Sequence, residues 1–545
     1  MKLNHLRFFG LSLAAVLLLF GCKPNSKNLP NEKLLSPENF SQYIDDFNAQ
    51  DEELYINAIP NHGAWEFLSS NIPLFDCPDK ELEKTYYFRW WTFRKHIKET
   101  PDGYVITEFL PQVNWSGKHN TISCAAGHHF YEGRWLHDTQ YLDSYALFWF
   151  RNGGSPRSYS FWAADAIYNY YLVTGEREKV IELLPDLVEN YELWEAGKNW
   201  GRNYYIGKNP DGLFTTIDDR DGMELSIGGH GRRPSINSYM FGDAIAISKI
   251  ALLAGEPEVA DIYREKASVL KSLVQDRLWD RSASFFKILS ADSTDLSDVR
   301  ELIGYTPWYF NLPDKESGYE VAWTQITDST GFRAPFGPTT AEQRDPRFEV
   351  SYSGHECKWN GPGWPFATSV TLTAMANVLN NYPQEVISKS DYFDLLQTYS
   401  KSHRRINDQG EELPWIDENL NPYTGEWLAR AQLETYDPET GWSDQKGGKE
   451  RGKDYNHSTF CDLLITGLVG LRPRADGRIE VNPLIPEDQW EWFCLDHILY
   501  HGKIITIAWD RSGKKYNAGK GFRVYSNGKL IGKSTRIKHL ITKEI

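Results

Sequence analysis

Cysteine is scarce in this sequence, with six residues among 545. One of them, Cys22, ends an apolar N-terminal run, and the remaining five are an odd number that cannot all pair. No two cysteines have the Cys-x-x-Cys spacing that is typical of structural zinc sites. The sequence therefore predicts no disulfide framework, and it leaves open whether one or two pairs form in the periplasm. We expect neither a metal nor a cofactor.

Basic residues are also in deficit, since 59 Lys and Arg face 74 Asp and Glu, for a net charge of −15. This balance excludes proteins that bind nucleic acid or an anionic lipid surface through a basic patch. The conspicuous apolar run, residues 8–21, is too short to span a bilayer comfortably.

The N-terminus has the order of charges and apolar residues found in export signals. Lys2 and Arg7 precede the apolar run, as in the basic region of a signal peptide. Leu19-Phe-Gly-Cys22 resembles the lipobox of bacterial lipoproteins, which implies cleavage before Cys22 and a diacylglycerol on its sulfur. We therefore expect a signal peptide at 1–21, a polar tether at 22–40 and a lipid anchor in the bacterial cell envelope. The expected location is periplasmic or on the cell surface, at the outer membrane, and an ordinary secretory signal is the alternative.

Aromatic residues are abundant, with 20 Trp, 30 Tyr and 27 Phe. Most of these rings are expected in the core. Two clusters, at 86–91 and 359–364, mix rings with charged or amide side chains. Apolar walls with a few polar groups are typical of small-molecule sites, and this mixture favours a sugar.

Apolar periodicity predicts helices that come in pairs. In two of the pairs an apolar helix stops at a glycine, which tolerates the left-handed conformation of a helix C-terminus, and a charged amphipathic helix follows. Such pairs build an (α/α)6 toroid, although a bundle or a solenoid has the same periodicity. The predicted pairs are 161–174 with 178–194, 236–254 with 258–278, and 364–379 with 391–403.

The residue pattern changes from that of helices to that of strands after residue 472. Residues from 478 to 525 alternate or run β-branched, and Ser526-Asn-Gly-Lys529 is a hairpin signal. The sequence thus predicts a mainly α chain, with a toroid domain at 41–472 and a small β-sandwich-like domain at 473–545.

Two carboxylates lie on separate turn-rich segments of this helical chain. They are Glu224 in Asp221-Gly-Met-Glu224 and Glu418 in Glu418-Asn-Leu-Asn-Pro-Tyr-Thr-Gly425. Hydrolysis of a glycosidic bond needs one acid to protonate the leaving oxygen and one carboxylate to activate water. We predict Glu224 as the acid, which requires a raised pKa through burial, and Glu418 as the base.

A second candidate for the base is Glu434, which begins the similar string Glu434-Thr-Tyr-Asp-Pro-Glu-Thr-Gly441. Glu418 is preferred because it follows Leu413-Pro-Trp-Ile-Asp417 and is followed by an asparagine. The segment 441–451, after the Glu434 string, is interpreted as a solvent-exposed loop.

Four motifs resemble, in the same order, those of the trehalases and processing α-glucosidases. Trp135-Leu-His-Asp138 is similar to their Gly-x-x-x-Trp-Asp region, although its Trp and Asp are two residues further apart. Asp221-Gly-Met-Glu224 is similar to their Ser-Gly-Met/Trp-Asp acid motif, with Glu in place of Asp. Trp359-Asn-Gly-Pro-Gly-Trp-Pro365 resembles their Trp-Arg-Gly-Pro-x-Trp segment, and the Glu418 string resembles their base loop.

The motifs most resemble those of the mannosylglycerate-hydrolase-like domains of bacterial lipoproteins. The resemblance implies an (α/α)6 toroid and an inverting, metal-independent glycoside hydrolase of carbohydrate metabolism. Its substrate would be an α-linked oligosaccharide or small glycoside. Because Glu224 has a longer side chain than the aspartate at this position in those families, their substrate specificity cannot be transferred to this chain.

The same resemblance implies substrate-binding residues. Trp135 and Asp138 would hold the sugar at the reacting subsite. Trp359, Asn360 and Trp364 would present rings and an amide at the start of a helix.

Two further groups of residues were weighed. Arg232 is a candidate clamp for an acidic substrate group such as a glycerate or uronate. His128, His129 and Glu132 imitate a metal site, but adjacent histidines in a strand point to opposite faces, so no metal is predicted there.

Two other functions compete with hydrolysis. A toroid polysaccharide lyase would need a Tyr or His base, which Tyr455 and His457 supply. A non-catalytic glycan-binding lipoprotein would need aromatics and amides but no matched pair of carboxylates.

Overall fold

The computed structural model describes residues 34–201, 204–291, 293–407, 409–434, 447–448 and 450–542. The predicted signal peptide, Cys22 and the tether up to residue 33 lie outside these ranges. None of the helices in the described ranges has both the length and the hydrophobicity needed to cross a membrane.

The described part of the chain is mainly helical up to residue 434. The helices are α1 (Ser41–Ala49), α2 (Ala64–Asn71), α3 (Lys80–Lys95), α4 (Ser123–Gly133), α5 (Gln140–Phe150), α6 (Ala163–Thr174), α7 (Arg177–Glu182), α8 (Leu184–Ala196), α9 (Pro234–Ala254), α10 (Pro257–Arg277), α11 (Thr306–Tyr309), α12 (Thr324–Thr327), α13 (Pro365–Asn381), α14 (Lys389–Ser402) and α15 (Leu428–Glu434). A π-helical segment follows at Leu463–Leu468.

The predicted helix pairs are present. α6 ends at Gly175 and α9 at Gly255, and both glycines are left-handed, with φ of 73° and 79°. α9 is buried along most of its length whereas α10 buries one face, as expected of an inner and an outer helix. The predicted helix 178–194 is wrong in one respect, because it breaks at Leu183. Pro185 lies in the first turn of α8 and has no amide hydrogen to continue α7.

The buried helices contact one another in a closed sequence. α4 packs on α6, α6 on α9, α9 on α11, α11 on α13, and α13 on the π-helical segment. The last segment returns to α4, where the Glu132 carboxylate accepts hydrogen bonds from the backbone N–H groups of Phe460, Cys461 and Asp462 at 2.9–3.2 Å. Helix α4 and the π-helical segment are far apart in the sequence, so tertiary packing, and not a local pattern, closes this ring of contacts.

Strands supply hairpins between the helices and a sheet at the C-terminal end. They are β1 (Leu74–Asp76), β2 (Ile97–Thr100), β3 (Gly103–Ile106), β4 (Lys198–Trp200), β5 (Tyr204–Lys208), β6 (Phe214–Thr215), β7 (Gly231–Arg232), β8 (Trp279–Asp280), β9 (Phe285–Phe286), β10 (Leu289–Ser290), β11 (Arg404–Ile406), β12 (Glu412–Pro414), β13 (Leu471–Arg472), β14 (Glu480–Val481), β15 (Trp492–Tyr500), β16 (Lys503–Asp510), β17 (Gly521–Ser526), β18 (Lys529–Ser534) and β19 (Leu540–Ile541).

The largest sheet within the described ranges has five antiparallel strands in the order β1-β15-β16-β17-β18. β17 and β18 form the predicted hairpin, and Asn527 and Gly528 take the positive φ angles of 47° and 74° that a tight turn of this kind requires. β1 pairs with β15 through Phe75 and Leu495, so a segment from far up the chain completes this sheet.

A buried ion network joins the N-terminal helices to the segment 450–457. The Asp51 carboxylate binds the ammonium groups of Lys95 and Lys453 at 2.8 Å each, and Lys95 also binds Asp454 at 2.5 Å. Burial alone would raise the pKa of Asp51, but the two lysines hold it well below its usual value. The network thereby fixes the segment that carries several residues of the candidate site.

Candidate active site

A cavity of about 230 Å³ gathers side chains from six separate segments of the chain. Both carboxylates predicted to be catalytic, Glu224 and Glu418, line it. The remaining lining residues are Glu108, Phe109, Trp115, Ile122, Cys124, Tyr159, Asp219, Arg220, Gly222, His355, Glu356, Cys357, Trp364, Arg451, Tyr455 and His457.

A tight turn presents Glu224 to the cavity. The Asp218 carboxylate accepts hydrogen bonds from the backbone N–H groups of Asp219 and Leu225 at 3.0 and 3.2 Å, which closes the turn. Gly222 and Leu225 have φ of 70° and 60°, and for leucine this left-handed backbone is strained. Glu224 is therefore held by an ordered loop and not by a helix.

Asp221, the first residue of the same motif, has a structural role. It is fully buried and forms an ion pair with Arg233 at 2.7 Å, and it also accepts a hydrogen bond from Ser235. This pair anchors the turn to the start of α9.

The environment of Glu224 favours its protonated form. Burial is the main cause, and the nearby carboxylates of Asp219, Glu418 and Glu108 add to it, raising the pKa of Glu224 to about 8. A carboxyl group with this pKa keeps its proton at neutral pH, as a general acid must.

Glu418 has the opposite environment. Arg451 donates from Nε to Oε1 at 2.5 Å, and the Cys357 thiol donates to Oε2 at 3.2 Å. Glu356 binds the other side of the same guanidinium at 3.1 Å. Glu418 is thus an oriented, ion-paired carboxylate in the same cavity as a neutral acid.

The interpretation of 441–451 as a solvent-exposed loop is wrong for its last residue, Arg451. Arg451 is buried, because Glu418 and Glu356 supply the charges that its guanidinium needs in the interior. Gly452 lies so close to the Asp417 carboxylate that a Cβ atom there would collide with it. Burial and the charge of Glu418 raise the pKa of Asp417 to about 7.

The segment 359–364 adjoins the cavity, with its two indoles stacked. Trp364 lines the cavity, and Trp359 stacks on it with ring centroids 4.7 Å apart. The backbone N–H of Trp359 donates to the carbonyl of Glu224 at 3.0 Å, so this segment supports the acid loop. Asn360 does not line the cavity, and its amide contacts Glu349 at 3.4 Å.

The structure does not bring Trp135, Asp138 or Arg232 to the cavity. Trp135 is buried in the core and donates its indole N–H to Asp462 at 2.7 Å. Asp138 caps the turn that follows it, and Arg232 contacts Asp211 at 3.2 Å. Each has a structural contact that accounts for its position, so the predicted binding roles receive no support.

Glu434, the alternative base, is the last residue of α15. Its side chain and the residues 435–446 that follow it lie outside the described part of the chain. Its role therefore stays a prediction.

His128, His129 and Glu132 have the residue types of a metal site, and all three lie in helix α4. The strand geometry assumed for the two histidines is therefore wrong. The His128 ring packs edge-on against Phe366, and burial holds its pKa well below the usual value. His129 hydrogen-bonds the Asn456 carbonyl at 2.7 Å. Glu132 accepts the backbone hydrogen bonds that close the ring, so the three side chains have separate structural partners.

Two groups of potential metal ligands face the cavity. Donor atoms of Glu108, Cys124 and His457 lie within 4.8 Å of one another, as do those of a second group formed by residues 355–357. In the first group one carboxylate oxygen of Glu108 accepts a hydrogen bond from the Tyr455 hydroxyl, which also contacts His457 Nδ1. Burial raises the pKa of the Cys124 thiol well above its usual value. Glu108, Tyr455 and His457 thus form a hydrogen-bond network.

Sequence reasoning did not single out Glu108, Arg220, Cys357 or Arg451. The Arg220 guanidinium lies over the rings of Tyr159 and Trp200, and two of its nitrogens donate to the Asp219 carboxylate. Arg220 lies next to the acid motif and Cys357 two residues before Trp359, so proximity was an available signal for both. Nothing local distinguishes Glu108 or Arg451.

The family model of the mannosylglycerate hydrolase MGH1-like glycoside hydrolase domain matches residues 118–458. The model of the C-terminal domain of glycosyl hydrolase family 65 matches residues 471–532.

Among solved structures, a chain described as "Sialidase" is 45% identical with a TM-score of 0.84, and the match covers 93% of this chain and 45% of that one. The GH78 family rhamnosidase of Bacillus sp. GL1 is 13% identical with a TM-score of 0.51, covering 80% of this chain and 40% of that one; this likeness concerns the fold alone. An uncharacterized protein of Borreliella burgdorferi is 22% identical over 193 residues, which are 35% of this chain and 38% of that protein. The chain thus spans less than half the length of each of these relatives.

Proposed function

The chain belongs to the family of mannosylglycerate hydrolase MGH1-like glycoside hydrolase domains, and from this premise we propose that it hydrolyses a glycosidic bond at Glu224 and Glu418. One observation carries the proposal. Two carboxyl groups from loops far apart in the chain line one cavity, one held neutral by burial and the other ion-paired with Arg451.

The roles follow from these environments. Glu224 donates its proton to the glycosidic oxygen as the bond to the anomeric carbon breaks. Glu418 accepts a proton from the water whose oxygen attacks that carbon from the opposite face, and the sugar leaves with inverted configuration. This inverting, metal-independent mechanism requires a carboxyl separation of roughly 6.5–9.5 Å.

The proposed architecture is the (α/α)6 toroid, with the β-domain beginning at residue 473. The closed sequence of contacts among the buried helices supports it, because a solenoid would leave its first and last helices apart. The strands between Leu471 and Ile541 support the second domain.

The charges of the cavity favour an uncharged substrate. Among the described lining residues both arginines are already paired, Arg220 with Asp219 and Arg451 with Glu418 and Glu356. A uronate or glycerate carboxylate would meet further carboxylates there without a free guanidinium to receive it. We therefore propose a neutral glycoside, α-linked as the family resemblance implies.

A lyase is the second candidate, because Tyr455 and His457 do line the cavity. The Tyr455 hydroxyl, however, donates to the Glu108 carboxylate at 2.7 Å, and His457 Nδ1 lies 2.8 Å from the same oxygen. β-Elimination requires a neutralised uronate at the base, and a fixed carboxylate at that place opposes it. Hydrolysis is therefore the better supported reaction.

The deciding experiment is release of reducing sugar by the full-length protein from α- and β-glycosides of hexoses, 6-deoxyhexoses and pentoses, with uronates included. Wild type is compared with Glu224→Gln, Glu418→Gln and Glu434→Gln, and with the exposed control Glu385→Gln. We expect turnover of a neutral glycoside that is lost in Glu224→Gln and Glu418→Gln only. Unsaturated uronate products would establish the lyase, and sugar affinity without turnover would establish a binding protein.

Export and anchoring through Cys22 are part of the same proposal, and the lipobox resemblance supports them. Cys22→Ser should release the protein from the membrane fraction of the bacterium that expresses it. Retention of this variant in that fraction would refute the lipid anchor.

A further inference from the structure

A further carboxylate, Glu108, faces the cavity from a segment that carries neither catalytic residue. It follows strand β3, and its backbone carbonyl accepts a hydrogen bond from the N–H of Asn456 at 3.1 Å. The Asn456 amide also donates to the carbonyl of Thr107 at 3.2 Å. The segments 107–108 and 455–457 are thus joined backbone to backbone, and Glu108 has a fixed origin.

The two oxygens of Glu108 have different surroundings. Oε1 accepts a hydrogen bond from the Tyr455 hydroxyl at 2.7 Å and lies 2.8 Å from His457 Nδ1. Oε2 has one contact within the described residues, the Cys124 thiol at the long distance of 3.9 Å. One oxygen therefore orients the group, and the other keeps its capacity to accept.

His457 provides a second acceptor beside it. Its Nδ1 contacts the Tyr455 hydroxyl and lies 2.8 Å from Oε1 of Glu108. Because the Tyr455 proton is donated to Glu108, the ring proton belongs on Nδ1, where these oxygens can accept it, and Nε2 is then an acceptor. Nε2 is buried and has no hydrogen-bond partner within the described part of the protein. A buried acceptor without a donor is unfavourable, and a donor from a ligand would relieve it.

We propose that Glu108 and His457 bind two hydroxyl groups of the sugar residue whose bond is cleaved, with Tyr455 as the positioning residue. Sugar hydroxyls are donors, and two neighbouring acceptors match two of them. A hydrogen bond from a hydroxyl to a carboxylate is charge-assisted and stronger than a neutral one. The pair sets specificity for hydroxyl position, which goes beyond the catalytic roles of Glu224 and Glu418 but rests on the proposed function.

The test measures kcat/KM of wild type, Glu108→Gln and Tyr455→Phe on the best glycoside of the panel and on its monodeoxy analogues. Wild type should discriminate strongly against the analogue that lacks a bound hydroxyl, because a site built to bind a hydroxyl leaves its own groups unpaired without it. In Glu108→Gln, activity on the parent glycoside should fall at least about tenfold. The penalty for one particular deoxy position should shrink by a similar factor, which is the coupling that a direct contact produces.

Tyr455→Phe removes only the hydroxyl that orients Glu108. It should produce the same pattern with a smaller loss, and it serves where Glu108→Gln does not fold. Thermal unfolding midpoints of both variants are compared with Glu385→Gln to separate folding from specificity. If each variant loses one uniform factor on all analogues, Glu108 has a structural role and the proposal is overturned.

A binding readout separates this proposal from the proposed function. Glu224→Gln and the double variant Glu224→Gln/Glu108→Gln are titrated calorimetrically with the free monosaccharides of the panel. Weaker binding in the double variant supports the hydroxyl site whether or not hydrolysis is found. Equal binding by both proteins overturns the hydroxyl site and leaves the hydrolase untouched.

Discussion

Replacing Glu224 by glutamine should abolish turnover and, at neutral pH, stabilise the protein. The carboxyl group has a pKa of about 8 in the folded chain and 4.5 as an ordinary side chain. A folded pKa above the unfolded one favours the folded state below the unfolded pKa, and this advantage is lost as the pH rises through the folded pKa. Each pH unit between the two values costs about 1.4 kcal/mol.

The magnitude follows from that interval. At pH 7 the unfolded Glu224 carboxyl is ionised, about 2.5 pH units above its pKa, while the folded one keeps its proton. This group therefore lowers the unfolding free energy of wild type by about 3 kcal/mol between pH 4.5 and pH 7. The glutamine side chain does not titrate. The difference in unfolding free energy between variant and wild type should therefore rise by about 3 kcal/mol from pH 4.5 to pH 7.

Urea unfolding followed by tryptophan fluorescence at several pH values measures this difference. Glu385→Gln, at an exposed position, is the matched control and should show no such trend. The pH profile of wild-type kcat/KM should also have an alkaline limb near pH 8, where Glu224 loses the proton it donates. A stability difference that stays flat with pH, or an alkaline limb below about pH 6, would refute the assignment of the acid.

Three further predictions concern the base and the buried charges. Glu418→Gln should lower kcat by about 10²–10⁴-fold in a steady-state assay while Glu434→Gln stays active; the reverse pattern would move the base to Glu434. Arg451→Met leaves Glu418 buried without its partner, so urea unfolding should show a loss of about 3–5 kcal/mol, and an unchanged midpoint would contradict the ion pair. Asp51→Asn removes the bridge between Lys95 and the segment 450–457, and we expect a loss of about 1–3 kcal/mol by the same measurement; wild-type stability would show that the network is not needed.

Much of the fold was predictable because its signals are local. The glycines after α6 and α9, the apolar faces of the paired helices and the Asn-Gly turn between β17 and β18 each act over a few residues. The break at Leu183 was missed, although Pro185 announces it. The addition of β1 to the C-terminal sheet has no local signal, since the pairing of distant strands depends on how the rest of the chain packs.

The carboxylate motifs determined by themselves that Glu224 and Glu418 were candidates for catalysis, since residue type and turn context are properties of the sequence. Only the tertiary structure decided that they share a cavity, that burial keeps one neutral and that the other forms an ion pair with Arg451. It also placed Trp135, Asp138 and Arg232 away from the lining of this cavity and Glu108 within it. The physical reason is that protonation and recognition depend on which groups meet in a region shielded from water, and those groups come from segments far apart in the chain.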